Sequence, residues 1–213
     1  MKNIRILKYT LFYNGYMLLI VLGGTLLFPL YMWLLTGFEE KDLSSVMSTM
    51  NEYSLFVGLL VAIIAGLTFI PVNTQNLLAS GCLRKEAFWG NLIFSVIHPL
   101  GVVVIHSLTF VVENGVSWNI KTEIAVFFAL LAVTSAADAF GVLILAFGRT
   151  VYVIAVFLCI FLGAAVGVCT AMEAEWTYFW LDSNIIVYGI CILVFAVAMA
   201  VVRRKFKTLE VKV

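Results

Sequence analysis

Six apolar runs, at about 17–36, 54–71, 92–112, 124–147, 151–171 and 184–203, take up most of this 213-residue chain and leave little from which to build anything but membrane helices. A run of roughly 20 apolar residues crosses the ~30 Å hydrocarbon layer as a helix, a form that satisfies its own backbone polar groups there. With 63% hydrophobic residues against 12% charged, a water-soluble fold would have to expose apolar surface on a scale that soluble proteins avoid. The expected fold class is an all-α integral membrane protein, a single transmembrane domain over 1–213 with six transmembrane helices. A net charge of +1 gives no reason to expect nucleic acid as a partner.

Threading the runs alternately through a bilayer puts eleven of the thirteen Lys and Arg residues on one side: Lys2, Arg5, Lys8, Arg84, Lys85, Arg149, Arg203, Arg204, Lys205, Lys207 and Lys212. Cytoplasmic loops collect such cations, so this side is read as the inside and both termini as cytoplasmic. Nine of the twelve acids, Glu123 among them, fall on the other side, and Asp138 lies within a span. The basic N-terminus is not read as a signal peptide, because the first run ends in Trp33-Leu34-Leu35-Thr36-Gly37 and acids with no small-residue cleavage site. Residues 2–12 form an element of their own. Lys2, Arg5 and Lys8 recur at three-residue steps beside an apolar stripe of Ile4, Leu7 and Leu11, a pattern for an amphipathic helix in the inner interface. The other reading is a cytosolic extension of the first span.

Small residues recur at four-residue steps, Gly58, Ala62 and Gly66 in the second span and Gly163, Gly167 and Ala171 in the fifth. Such faces let helix backbones approach closely in lipid and are read as packing surfaces. Aromatic residues at the outer margins, including Trp118 and the Trp176–Leu181 group, are read as interface anchors, the latter alternatively as an external gate.

Three ionisable groups fall at membrane depth: Asp138, His98 and His106. An ionised carboxylate at a bilayer centre costs at least about 2.5–3.5 kcal/mol, so Asp138 is expected to face protein or water, or to carry a proton. It is either a functional group on a pathway or a buried polar contact that fixes packing, with Thr134 or Ser135 of its own span or a histidine of the third. His98 and His106 are eight residues apart, roughly 80° around a helix, which is no metal-ligand spacing. Pro99 follows His98 and is expected to kink or open the third span.

No H-E-x-x-H, G-x-S-x-G or G-x-x-x-x-G-K-[ST] is present, so the chain is not expected to be an enzyme or to hydrolyse ATP alone. The four cysteines form no C-x-x-C pair, and no disulfide or metal site follows from them.

The internal loop long enough to dock a partner is 72–91. Pro71 marks the end of the second span, residues 73–80 can form about two helical turns, and Gly81 supplies a permissive backbone for the stop. A further helix begins near Leu83. Here the chain resembles the membrane subunits of ABC-2-type ATP-binding-cassette transporters, mostly bacterial exporters. In that family a short coupling helix precedes S-x-G-[VIM]-[ST]-R-[KR]-x-x-[FY]; the resemblance here is carried by Ser80, Gly81, Arg84, Lys85 and Phe88, with Ser80 directly beside the glycine and not one residue removed from it. Leu83 stands where a helix-capping hydroxyl is usual.

The resemblance implies a membrane subunit paired with an identical or homologous copy, in contact with membrane lipid, and driven by two cytosolic ATPase subunits that hold ATP and Mg. It implies a multi-pass protein of the bacterial plasma membrane that exports an amphipathic or hydrophobic peptide, drug or lipid, including antimicrobial peptides in self-protection. Asn73, Thr74, Gln75, Asn76, Leu77, Ser80, Gly81, Arg84, Lys85 and Phe88 become the ATPase-coupling residues. Two other classes stand beside it, a proton-coupled secondary carrier using Asp138 and a non-transporting membrane scaffold.

Overall fold

The computed structural model describes residues 2–36, 43–79, 81–114, 120–148, 150–151, 153–154 and 185–208, and every regular element among them is helical. Helix α1 spans Lys2–Thr36, α2 Leu43–Thr68, a π-helical turn Phe69–Thr74, α3 Gln75–Ala79, α4 Arg84–Asn114, α5 Ile120–Phe147 and α6 Ile185–Thr208. Among the described residues four segments are long and apolar enough to cross a membrane: Ile6–Tyr31, Arg84–Val111, Ile120–Phe147 and Ile185–Lys207. A fifth is added if Tyr53–Thr68 and Val72–Ala79, bent from each other by 43°, count as one broken span. The expected run at 151–171, with its Gly163, Gly167 and Ala171 face, lies almost wholly outside the described residues, as do Ser80, Trp118 and residues 176–181.

The distribution of polarity is that of a membrane protein. Leu19 is 66% and Ile185 83% exposed, whereas Asn91, Ser95, His98 and Asp138 are fully buried. Water would impose the reverse order; a hydrocarbon surround accepts the apolar rim and forces polar groups to seek one another inside.

Residues 2–12 do not form a helix separate from the first span. They are the first turns of the 35-residue α1. The cause is an inward stripe, Ile6, Thr10, Asn14, Val21, Thr25 and Pro29, whose spacings of four and seven residues keep one face of a single helix against the bundle.

Helix α2 is central, packed on α1, α4 and α5, while α6 packs chiefly on α5. The small-residue face of α2 makes this possible. Gly58 lies against Val102 of α4, Ala62 is fully buried, and a Cβ at Gly66 would stand 2.6 Å from the Ala137 Cβ and 3.0 Å from the Asp138 backbone nitrogen. Two apolar clusters hold the bundle. One gathers Ala65, Ala87, Phe94, Val142, Met199, Val202 and Phe206; the other gathers Val21, Val61, Val102, Val126 and Leu130.

Beyond Thr68 the α2 ladder meets Pro71, which offers no backbone N–H, and the chain continues as wider π turns rather than stopping there. It then tightens into α3 and ends in a Schellman turn: the Gly81 N–H donates to the Leu78 carbonyl and the Cys82 N–H to the Leu77 carbonyl, both at 3.0 Å. Gly81 has φ +85°, the left-handed region in which a Cβ is strained, so the expected stop is where the chain turns. Helix α4 begins one residue after Leu83. The capping hydroxyl missing at Leu83 is replaced from the other direction, since the Leu83 N–H donates to Glu86 Oε2 at 3.1 Å, half of a capping box.

Candidate functional site

The deepest polar group of the bundle is built on α5, where Asp138 is fully buried between α2 and α4. Its partners come from α4. Ser95 Oγ is hydrogen-bonded to Asp138 Oδ2, and Asn91 Nδ2 donates to the same oxygen at 3.5 Å. Asn91 and Ser95 are four residues apart and so occupy one face of α4, toward α5. Thr134 and Ser135 do not serve Asp138, because their hydroxyls donate back to the Leu130 and Ala132 carbonyls of their own helix, at 2.7 and 2.9 Å.

Ser95 Oγ also lies 2.9 Å from the Asn91 carbonyl. The Ser95 hydroxyl is shared between the Asp138 carboxyl and the Asn91 carbonyl of its own helix. The remaining oxygens, Asp138 Oδ1 and Asn91 Oδ1, have no hydrogen-bond partner, and neither do Thr10 Oγ1 and Asn14 Oδ1 on the inward face of α1. Buried acceptors left in this condition are costly, roughly 1–3 kcal/mol each, and a layer that retains several is a place for a proton, a water or a passing polar group.

His98 does not join Asp138. Its ring stacks on Phe94 at 5.4 Å, with both nitrogens buried and unpartnered. Pro99 is buried within α4, which continues as α-helix from Arg84 to Asn114 with no break at the proline. The carbonyl deprived of its donor by Pro99 is that of Ser95, four residues before it, so the proline loosens the backbone beside Asp138.

His106 belongs to a second cluster. Ser54 Oγ lies 2.9 Å from His106 Nδ1, and His106 Nε2 lies 3.8 Å from Glu123 Oε1. Glu123, read from sequence as an external acid, is only 5% exposed, and Ser54 is fully buried. Serine, histidine and carboxylate are in line within the bundle, with Ser54 enclosed. The cluster ties α2, α4 and α5 together.

The polar layer reaches the bend. Tyr9 of α1 donates to Asn73 Oδ1 at 2.6 Å. The Tyr13 hydroxyl lies within hydrogen-bonding range of Thr68 and Asn73, and its ring packs on Phe94 of α4. Asn73 and Thr74, read from sequence among the ATPase-coupling residues, are 8% and 1% exposed and face the bundle. The π turn rotates them inward and leaves Gln75 and Asn76 exposed. Gly81, Arg84 and Lys85 are also exposed, Leu77 is half-buried, and Phe88 packs against the inner cluster beside Phe206. Asn91, Ser95 and Glu123 had no signal in the sequence beyond being polar residues in or beside an apolar run.

Among the described residues no group of three or more His, Cys, Asp or Glu is placed to hold a metal ion. Comparison with family models, with curated proteins and with solved structures finds no match to this chain.

Proposed function

We propose that this chain is the membrane subunit of an ATP-driven exporter of the ABC-2 type, seated in a bacterial plasma membrane with both termini cytoplasmic. One observation carries the reading. The 69–83 segment is a capped helical element that presents Gln75 and Asn76 outward while Asn73, on its inner face, is held by Tyr9. An ATPase subunit that grips the outer face displaces the segment as a unit, and the Tyr9 and Tyr13 contacts pass that displacement to α1 and the Asp138 layer. The bundle responds by changing between two packings, as switching helical interfaces do. ATP and Mg sit on the two ATPase subunits, and a second membrane subunit, identical or homologous, completes the pathway. The cargo is an amphipathic or hydrophobic peptide, drug or lipid that enters from the bilayer, and resistance to antimicrobial peptides is its proposed use.

The test is purification of the tagged full-length chain from its own host under mild detergent. A nucleotide-binding subunit is expected to accompany the wild type and to be lost from Gln75→Ala/Asn76→Ala while the chain remains folded. If no such subunit accompanies the wild type, the reading fails.

Buried Asp138 favours a second reading, a carrier driven by protons. In that case Asp138→Asn abolishes uptake or efflux driven by a pH gradient across vesicles containing this chain alone. An inactive wild type in such vesicles removes the second reading.

A further inference from the structure

Where α4 begins and α6 ends, two clefts of about 570 and 620 Å³ open on the surface of the bundle. They share Phe88, Trp89, Arg203 and Lys207 and so make one groove. Its walls are apolar, with Phe88, Trp89 and Leu92 from α4 facing Phe195 and Met199 from α6. Its rim carries Arg84, Lys85, Arg203, Arg204 and Lys207, and among the described residues no acid lines it.

The rim is organised by the two helices rather than being a loose basic tail. Arg84 Nη1 donates to the Lys207 carbonyl at 3.0 Å, which joins the start of α4 to the end of α6. Arg203 and Lys207, one helical turn apart, face the groove. Lys205, on another face of α6, sits over the Phe147 ring at 4.5 Å and takes no part.

We infer that this groove binds an anionic phospholipid, its phosphate held among Arg84, Lys85, Arg203 and Lys207 and an acyl chain lying along Phe88, Trp89 and Leu92. Five cations with no acid among the described residues that line the groove repel one another and draw an anion. Guanidinium groups suit a phosphate in particular, through paired N–H donors. A free inorganic anion would neutralise the rim but leave the wall bare, where Trp89 is 51% exposed. A phospholipid covers both with one molecule. The inference needs only that these helices lie in a membrane and does not depend on an ATPase partner. Its consequence is that lipid bridges α4 and α6 at the junction where the bent segment hands over to α4.

The test is native mass spectrometry of the delipidated full-length chain, incubated with equimolar phosphatidylglycerol and phosphatidylcholine of matched acyl chains. Wild type is expected to retain phosphatidylglycerol at least about tenfold over phosphatidylcholine, given the contribution of each basic residue near an anionic headgroup. Arg203→Gln/Lys207→Gln, which spares the Lys207 carbonyl, should remove most of the preference and bring the two lipids toward equal retention. Lys205→Gln should leave it unchanged, and millimolar inorganic phosphate should not displace the lipid. Equal retention of the two lipids by wild type overturns the inference whatever the variants do. So does displacement by phosphate, or an undiminished preference in a double variant that still unfolds at the wild-type temperature.

Discussion

Asp138 is the residue on which the interior turns. Its position was legible because an acid inside an apolar run has no inexpensive place in a bilayer. Its partners were not, because Asn91 and Ser95 are neutral residues whose meeting with Asp138 depends on the rotation of α4 against α5, a property of packing and not of either helix alone. The same limit applies to Glu123, whose neighbours in sequence are those of an external loop and whose neighbour in space is His106. Two substitutions separate the roles of charge and of hydrogen bonding at this site. Asp138→Asn keeps the shape and a donor for Ser95, and its unfolding temperature in detergent should stay close to wild type. Asp138→Leu strands Ser95 and Asn91 and should destabilise the chain by about 1–3 kcal/mol. Gly66 is the second sensitive residue. Gly66→Val drives side-chain atoms into the Ala137–Asp138 backbone and should cost about 1–3 kcal/mol, whereas Gly23→Ala, with nothing within 4 Å of the new Cβ, should be nearly silent in the same measurement.

At the scale of elements, the bend between α2 and α4 combines a rule visible in the sequence with one that is not. Gly81 announces the stop of α3, and the positive φ there makes the glycine necessary. Gly81→Ala should weaken the turn by about 1 kcal/mol and speed amide hydrogen exchange at Gly81 and Cys82, the two N–H groups of the Schellman turn. Leu83 invites the opposite change. Because Leu83 is exposed and its N–H already bonds Glu86, Leu83→Ser completes the capping box and should stabilise the start of α4 by about 1 kcal/mol, slowing exchange over residues 84–87. What the sequence could not convey is the π turn. Pro71 signals an interruption, yet whether a chain ends its helix there or widens it depends on the neighbours that hold the far side, here α5 and Tyr9 on Asn73. That widening turns Asn73 and Thr74 inward. Continuity of α1 was hidden for a similar reason, since the basic stripe at Lys2, Arg5 and Lys8 is conspicuous and the inward stripe through Thr10 and Asn14 is polar enough to resemble a surface.

At the scale of the molecule, an apolar exterior, a buried polar layer and a basic end with a bent helical element form one physical system. Among the described residues four of the expected spans stand as apolar helices, and the bent pair adds a fifth if it counts as one span. The apolar runs made these legible, while the linkage from Asn73 through Tyr9 to α1, and from Tyr13 to Phe94 of α4, emerges only when the helices are assembled. The proposed role rests on that linkage having a handle outside the bundle. The most direct measurement places a photo-crosslinking amino acid at Asn76, exposed on α3, and as a control at Leu19, exposed on the apolar face of α1. After irradiation of intact cells, Asn76 should yield a discrete adduct with a nucleotide-binding protein, and Leu19 should yield none. An Asn76 adduct only with lipid, or the same adducts from both positions, would contradict the coupling of this chain to an ATPase.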